Sequence, residues 1–457
     1  MKEFELDKIV NICKQSGFIF PGSELYGGLA NTWDYGPLGI ELKNNLKRLW
    51  WKTFVQERIN SYGVDAAILM NPKVWEASGH VSSFEDPLMD CKKCKMRYRA
   101  DNLINEITKG AVNADQMTEA EMEQYIKENN VKCPNCQSSD FTNIRQFNLM
   151  FKTNRGVTED KSNTIYLRPE TAQGEYVNFL NIQRTMRAKI PFGIGQIGKV
   201  FRNEVTPGNF IFRTIEFEQM EYQFFCKKGT DENYYEEFKK IGLEFIKSLG
   251  VEATKLRFKD HDKLAHYAKA AVDIEYLFPF GWGEINGTHN RTDFDLNNHA
   301  NYSKKNQEYL DPETNEKYIP YVIESTYGVD RIILCLLCDS YYEEQLENGE
   351  IREVMKFHPA IAPYKVAILP LIKKVHSEKA LEIYQSLSKT FSVIYDEAGS
   401  IGKRYRRNDA IGTPYAITID DETIKDGLIT VRNRDTMLQE KINLQDLESY
   451  LSNKIIR

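Results

Sequence analysis

Residues 198–225 read GKVFRNEVTPGNFIFRTIEFEQMEYQFF, and the fold turns on how this stretch pairs. Two runs rich in β-branched and aromatic residues flank Thr206-Pro207-Gly208-Asn209, where Pro then Gly at the centre suits a type II turn. The stretch therefore predicts one long β-hairpin. Side chains alternate faces along a strand, which puts Arg202 and Glu204 on one side of the first arm. The same alternation puts Arg213, Phe217, Gln219 and Glu221 on one side of the second. A sheet meant only as core would carry Val, Ile and Leu there; arginines, carboxylates and an aromatic ring suit a charged, flat ligand.

The chain around it has 457 residues, enough for two or three domains with a substantial core. At 41% hydrophobic and 28% charged residues it reads as globular and not disordered. No uninterrupted apolar run approaches the ~18–20 residues of a membrane span, and MKEFELDKIV at the start lacks an apolar signal core, so no membrane contact and a cytoplasmic location are expected. A net charge of −6 argues against indiscriminate nucleic-acid binding. Any RNA contact falls to local patches such as Lys403-Arg404-Tyr405-Arg406-Arg407, a run that also suits a plain solvated helix face.

Before the hairpin, residues up to 17 suit a short amphipathic helix, and PGSELYGGLANTWDYGPLG follows as either flexible loop or close backbone packing. From Glu41 to Ser61, Leu42, Leu46, Leu49, Trp50 and Phe54 keep the 3.6-residue period of a helix burying one face, with a strand expected at Asp65 to Asn71. Cys91, Cys94, Cys133 and Cys136 form two Cys-x-x-Cys knuckles, a spacing at which four thiolates suit tetrahedral zinc; disulfides compete, and a cytoplasmic setting disfavours them. Between the knuckles, Thr118-x-x-Glu121 with Met122, Tyr125 and Ile126 predicts a capped helix. The other four cysteines, Cys13, Cys226, Cys335 and Cys338, read as inert buried thiols. Thr164 to Leu167 reads as a strand that breaks at Pro169 before a helix, leaving Glu170 on the loop between them. Gly193-Ile-Gly195-Gln-Ile-Gly198 matches a dinucleotide fingerprint, but β-type residues and not a helix follow it, so no phosphate site is expected there.

Beyond the hairpin a helix is expected over residues 231 to 250, then the segment Phe278 to Gly287 and Arg291 to Leu296. His289 and His299 fit no tight metal motif and read as satisfied polar histidines. Tyr318 to Glu324 predicts a strand, Ser325-Thr326-Tyr327-Gly328 a glycine turn, and Ile332 to Leu337 an apolar helix. Asp339 to Pro363 reads as a charged connector. Strands at Lys365–Leu369, Ser392–Tyr395, Tyr415–Ile419 and Leu428–Val431 then alternate with helices at Ser377–Phe391 and Ser400–Asp409.

The F-R-N-E, loop, F-R-T-x-E-F-E-Q-M-E pattern from Phe201 resembles motif 2 of class II aminoacyl-tRNA synthetases. With RPETAQG at 168–174, the Gly328-Val329-Asp330-Arg331 segment and GSIGKRYR at 399–406, the whole chain from about residue 5 resembles the glycyl-tRNA synthetase family of class IIa. That resemblance implies an α+β fold: an antiparallel class II catalytic sheet flanked by helices, with a C-terminal α/β anticodon-binding domain. It divides the chain into residues 1–90 with motif 1, a Cys-rich insertion at 91–145, a catalytic core at 146–340, a linker at 341–362 and the anticodon domain at 363–457. It implies a homodimer built on motif 1, and as partners glycine, ATP with Mg2+ and tRNA(Gly), beside the structural Zn2+ of the cysteine quartet.

Roles follow residue by residue from the same resemblance. Arg202, Glu204 and Arg331 are the catalytic trio, with Arg202 on the α-phosphate, Glu204 on the adenine amino group, and Arg331 stacked on adenine opposite Phe217. ATP further engages Asn203, Phe212, Arg213, Thr214, Glu284, Ile285 and Arg291, and then Gly328, Val329 and Asp330. Glycine engages Glu170, the run Phe217-Glu218-Gln219-Met220-Glu221, and Glu324, Ser325, Thr326 and Gly328. Arg99 is a glycine contact or an ordinary surface cation. Lys403, Arg404, Arg406 and Arg407 face tRNA. The chain departs from the family at Ser325-Thr326, where Pro-Ser is usual; Thr keeps the hydroxyl and adds a methyl. A synthetase-like accessory protein without catalysis, or a class II enzyme for another small amino acid, are the alternative readings.

Overall fold

The computed structural model describes residues 5–108, 111–114, 117–157, 163–205, 208–261, 264, 268–347 and 349–455. Its centre is a sheet of seven strands: β1 (Ser61–Gly63), β2 (Phe192–Phe201), β3 (Glu216–Cys226), β4 (Leu256–Asp260), β5 (Ala270–Phe278), β6 (Gly281–Thr292) and β7 (Tyr321–Gly328). Their order is β4-β5-β6-β7-β3-β2-β1, antiparallel except for the β1–β2 pair. One face is covered by the helices Pro37–Trp51, Asp231–Ser248 and Val329–Ser340, whose apolar stripes join an aromatic core that includes Trp50, Phe54, Tyr222 and Tyr327. On the opposite face Phe192, Ile194, Phe225 and Val322 pack under the helices Ala172–Val177 and Phe179–Thr185, and the rest of that face carries polar side chains.

The hairpin exists as β2 and β3, but its arms are shorter than the sequence suggests. β2 stops at Phe201 and β3 begins at Glu216, so Arg202, Glu204 and Arg213 sit on the connecting loop. Left-handed Asn209 (φ 58°) and Phe210 (φ 60°) open a short 3-10 turn at Phe210–Phe212, which strict strand alternation could not contain. The first two residues of the expected type II turn, Thr206-Pro207, lie outside the described residues. The three glycines of the dinucleotide-like pattern lie inside β2. A Cβ on Gly193 would lie 1.9 Å from the Tyr222 hydroxyl, and one on Gly198 2.1 Å from Arg168 Nη2, so they serve close packing.

The motif 1 helix starts at Pro37, one turn earlier than expected, and widens into a π-helical turn at Lys52–Gln56. Its strand is Ser61–Gly63 and not residues 65–71, where Leu69 alone makes a bridge, to Leu167. Asn71 instead caps the next helix, accepting from the Lys73 amide at 3.0 Å. The cysteine-rich insertion contains a three-stranded sheet (Glu85–Asp90, Arg97–Arg99, Arg145–Asn148) and the helix Glu119–Glu128, opened by the expected Thr118/Glu121 capping box.

The segment read as a linker is a hairpin, Tyr341–Gln345 with Ile351–Met355. Arg352 within it is fully buried and bonds Asp409 at 2.9 Å and the Arg434 carbonyl at 2.6 Å, which fastens the hairpin to the C-terminal domain. That domain has a five-stranded sheet, Val393–Tyr395, Val366–Pro370, Tyr415–Ile419, Leu428–Asn433 and Gln439–Asn443 in spatial order, with helices Lys373–Leu387, Ile401–Ala410 and Leu447–Ile455. Among the described residues no helix is long and apolar enough to cross a membrane.

Candidate active site

The polar face of the sheet forms one cavity, floored by β3, β6 and β7 and walled by the loop between β2 and β3. Alternation decides which residues reach it. From β3, Phe217, Gln219 and Glu221 line the cavity; from β7, Glu324, Thr326 and Gly328 do. Their neighbours point away, which corrects part of the expected residue set. Glu218 turns to Lys43 (2.6 Å) and Lys47 (3.1 Å), and Met220, Ile285 and Val329 are buried in the apolar core. Ser325 donates to the Tyr327 hydroxyl at 3.1 Å.

At the deep end three carboxylates meet. Glu170 sits on the loop before the helix Ala172–Val177, accepts from Gln173 Nε2 at 2.8 Å and lies 3.3 Å from His80 Nε2. Burial would push its carboxyl up, but His80 and Arg291 pull it well below the ordinary carboxylate range. Glu324 lies 2.7 Å from His289 Nδ1 and 3.3 Å from Arg291 Nη1; these partners outweigh burial and draw it down to about 2. Glu221 has only hydroxyl partners, Thr171 and Thr326, and burial with Glu324 and Glu170 beside it pushes it up to about 8. The surroundings thus favour the ionised form of Glu170 and Glu324 and the protonated form of Glu221.

Arg291 belongs to this deep end. It chelates Asp295 through Nε (2.7 Å) and Nη2 (2.9 Å), and stands seven residues along β6 from Glu284, which lines the same cavity. At the other end Arg202 lies over Phe217, 5.4 Å from the ring centroid, and donates to the Pro169 carbonyl at 3.1 Å. Arg331 lies 4.4 Å over Phe212 and pairs with Glu284 at 2.9 Å. Arg213 and Glu204 face each other at 4.0 Å, and Thr214 lines the same wall. The strand β7 runs straight through Gly328 (φ −78°, ψ 108°) into the following helix, without the expected turn; a Cβ there would crowd Arg331 Cδ at 3.3 Å.

Asp330, Asn203, Arg99 and Arg404 are held by partners within the protein, Asp330 at the edge of the cavity and the other three outside its lining. Asp330 borders it, but its carboxylate accepts from Tyr35 Oη (2.5 Å), the Glu218 amide (2.8 Å) and Lys43 (3.5 Å). Asn203 fixes the loop through its amide to the Leu149 carbonyl at 2.9 Å. Arg99 is paired with Asp86 (3.0 Å) and Asp101 (2.6 Å). Arg404, expected to face tRNA, is buried with Nη1 on the Pro370 carbonyl at 2.6 Å, whereas Lys403 is exposed, Arg407 is exposed but paired with Asp396 at 2.7 Å, and Arg406 is 3.8 Å from Glu350.

Residues that the sequence did not single out complete the deep end: His80, Thr171, Gln173 and Asp295. Thr171 and Gln173 lie inside the RPETAQG string, which pointed to Glu170 alone. His80 comes from a distant helix, Gly79 preceding it in the left-handed region, and carried no local signal.

The cysteine quartet converges too, with Sγ separations of 3.5 Å (Cys91–Cys136) and 3.6 Å (Cys94–Cys133). These exceed a disulfide bond of roughly 2.05 Å. They approach the S···S distance of about 3.8 Å that tetrahedral Zn–S bonds of about 2.3 Å impose.

An antiparallel sheet carrying arginines and carboxylates over one cavity, joined to an α/β C-terminal domain, defines a class II aminoacyl-tRNA synthetase. Residues 151–340 match the model of the tRNA synthetase class II core domain (G, H, P, S and T), and residues 365–454 match the anticodon binding domain. The chain is 58% identical over 459 residues to the glycine–tRNA ligase of Clostridium kluyveri, covering 99% of both chains. It is 57% identical to that of Clostridium acetobutylicum, again over 99% of both, and 57% identical to that of Bacillus thuringiensis subsp. konkukian over 99% of both. The chain belongs to the glycine–tRNA ligase family.

Proposed function

We propose that this chain joins glycine to tRNA(Gly) in two steps, and that the charge balance of the deep pocket is what receives glycine. In the first step the glycine carboxylate attacks the α-phosphorus of ATP and pyrophosphate leaves. In the second a ribose hydroxyl of the terminal tRNA adenosine attacks the adenylate carbonyl and AMP leaves. The observation that carries this reading is Glu221: Glu170 and Glu324 each have a histidine or arginine nitrogen within 3.3 Å, whereas Glu221 has only the hydroxyls of Thr171 and Thr326. A glycine ammonium supplies that missing charge, and Glu221 gives up its proton to accept it. Glu170 and Glu221 on the ammonium would position the smallest amino acid, and selection would work by excluding larger side chains, where one methylene is worth about 1–3 kcal/mol.

Phosphoryl transfer of this kind rests on positioning and charge stabilisation. Arg202 and Arg213 supply cationic groups on the loop wall, and Phe212 and Phe217 supply flat apolar surface for a base. Magnesium, bound with ATP, neutralises phosphate charge; Glu284 and Glu324 are carboxylates of the same cavity able to ligate it. ATP–pyrophosphate exchange against all twenty amino acids tests the reading: glycine alone should support exchange, and Glu170→Ala should abolish it. Exchange with no amino acid would favour an accessory protein; exchange with another amino acid would change the specificity.

The same reading places structural zinc on the cysteine quartet. Its four Sγ atoms converge to the spacing that tetrahedral zinc requires, and within the quartet Cys94 is drawn down to about 6 while Cys136 is pushed up to about 12, as when neighbouring thiols share one proton. One mole of zinc per chain after purification under reducing conditions is the expected result. A homodimer working in the cytoplasm completes it; Ile59, 94% exposed beyond the motif 1 helix, is the kind of side chain a second copy would cover, and sedimentation analysis tests this.

A further inference from the structure

We propose that His261, Asp273 and His289 form a second metal site, for a divalent transition ion such as Zn2+, Mn2+ or Co2+, in the wall of the catalytic cavity. Their ligand atoms all lie within 4.8 Å of one another, and among the described residues the cysteine quartet is the other such group. The sequence spacing hid the cluster because its members come from three neighbouring strands. His261, just past β4, donates its amide to the Ala271 carbonyl at 3.2 Å; His289 on β6 stands opposite Ala271 on β5; Asp273 lies two residues further along β5. A period of two puts all three on one face.

The orientation of His289 suits a ligand. Its Nδ1 lies 2.7 Å from Glu324 Oε1, which leaves Nε2 for the cluster. A carboxylate holding the far nitrogen of an imidazole is the usual support of a histidine ligand, since it fixes both tautomer and ring plane. Space is kept by Gly287, opposite Asp273 in the sheet: a Cβ there would stand 3.3 Å from His289 Nε2.

His261 Nε2 and Asp273 Oδ2 are 2.9 Å apart. Two adjacent ligands at right angles around an ion with bonds of about 2.05 Å lie about 2.9 Å apart, so an ion can be seated between them with little movement. Two imidazoles with one carboxylate favour borderline ions over magnesium, which takes oxygen ligands. His289 lines the cavity, and Asp273 and Glu284 are close enough to repel each other, so a cation here would sit against the carboxylate that pairs with Arg331. The site stands apart from the glycine-activation reading and does not require it.

The test is Co2+ titration of the full, chelator-stripped chain under reducing conditions, followed by absorption and equilibrium dialysis. Thiolate ligation gives intense near-ultraviolet charge transfer; a His-His-Asp site gives only weak visible bands. The expected result is one equivalent bound without charge transfer, in addition to whatever the cysteines bind. His261→Ala and Asp273→Asn should each weaken that equivalent by at least about ten-fold while their circular dichroism stays native. Absence of thiolate-free binding in the wild-type chain overturns the proposal, and leaves His261–Asp273 as an ion pair only. Unchanged binding in a natively folded His261→Ala chain overturns it equally. Should both variants fail to fold, the wild-type stoichiometry decides alone.

Discussion

Thr326 Oγ1 donates a 2.9 Å hydrogen bond to Glu221 Oε1, and the two residues stand directly opposite each other across β7 and β3. The hydroxyl at the position where this chain departs from its family is therefore aimed at the proposed ammonium acceptor, and the extra methyl stays in the cavity wall. Thr326→Val keeps the shape and removes the donor. It should raise the glycine KM in pyrophosphate exchange about ten-fold, the effect of roughly 1–1.5 kcal/mol for one lost bond, and leave the ATP KM unchanged. Thr326→Ser keeps the donor and removes the methyl, so glycine should be used normally while alanine gains about ten-fold. An unchanged glycine KM in Thr326→Val would place the ammonium elsewhere.

Glu221 also governs a pH dependence. Its ordinary value is 4.5 and its folded value about 8, raised by burial and by Glu324 and Glu170. Between those values the folded chain binds a proton that the unfolded chain does not, so stability falls as pH rises through that window. Melting temperatures measured at pH 6, 7.5 and 9 should decline, and Glu221→Gln, which is neutral throughout, should flatten the decline. Parallel curves for the two chains would mean that Glu221 is ionised in the fold.

Asp330 separates support from nucleotide contact. It accepts from Tyr35, Lys43 and the Glu218 amide, and Lys43 is almost wholly enclosed. Breaking one partner of a buried ion pair costs about 3–5 kcal/mol, so Asp330→Ala should lower the melting temperature sharply. Asp330→Asn retains one acceptor and should fall between. A variant that melts normally but needs ten-fold more ATP would restore Asp330 to the nucleotide.

Much of this architecture was legible in advance because strand alternation and helix period are local. Phe217, Gln219 and Glu221 were placed on one face by spacing alone, and the capping box at Thr118 declared its helix. What the resemblance carried over, the run Phe217 to Glu221 and the residues Glu324, Ser325, Thr326 and Gly328, the pleat divides, leaving Glu218, Met220 and Ser325 on the far side. Illegible features depended on distant partners. Arg352 reads as one charge in a charged connector until Asp409 and the Arg434 carbonyl bury it. His80 and His289 acquire meaning only through Glu170 and Glu324, which no spacing could relate.

The basic helix Ile401–Ala410 shows how one run divides between fold and partner. Arg404 and Asn408, four apart, share its inward stripe and are buried, while Lys403 and Arg407 lie on the exposed side. Arg404 bonds the carbonyls of Pro370 (2.6 Å), Leu371 (3.4 Å) and Asp396 (3.5 Å), tying the end of one strand to the loop before the helix. Arg404→Ala leaves those carbonyls without a cationic donor and should cost roughly 2–3 kcal/mol, seen as a loss of melting temperature at any salt concentration. Lys403→Ala should leave stability unchanged. If Lys403 meets a tRNA phosphate, its removal should weaken tRNA binding and reduce the salt slope of log affinity by about one. Binding that is insensitive to Lys403 at every salt concentration would move the RNA contact off this helix.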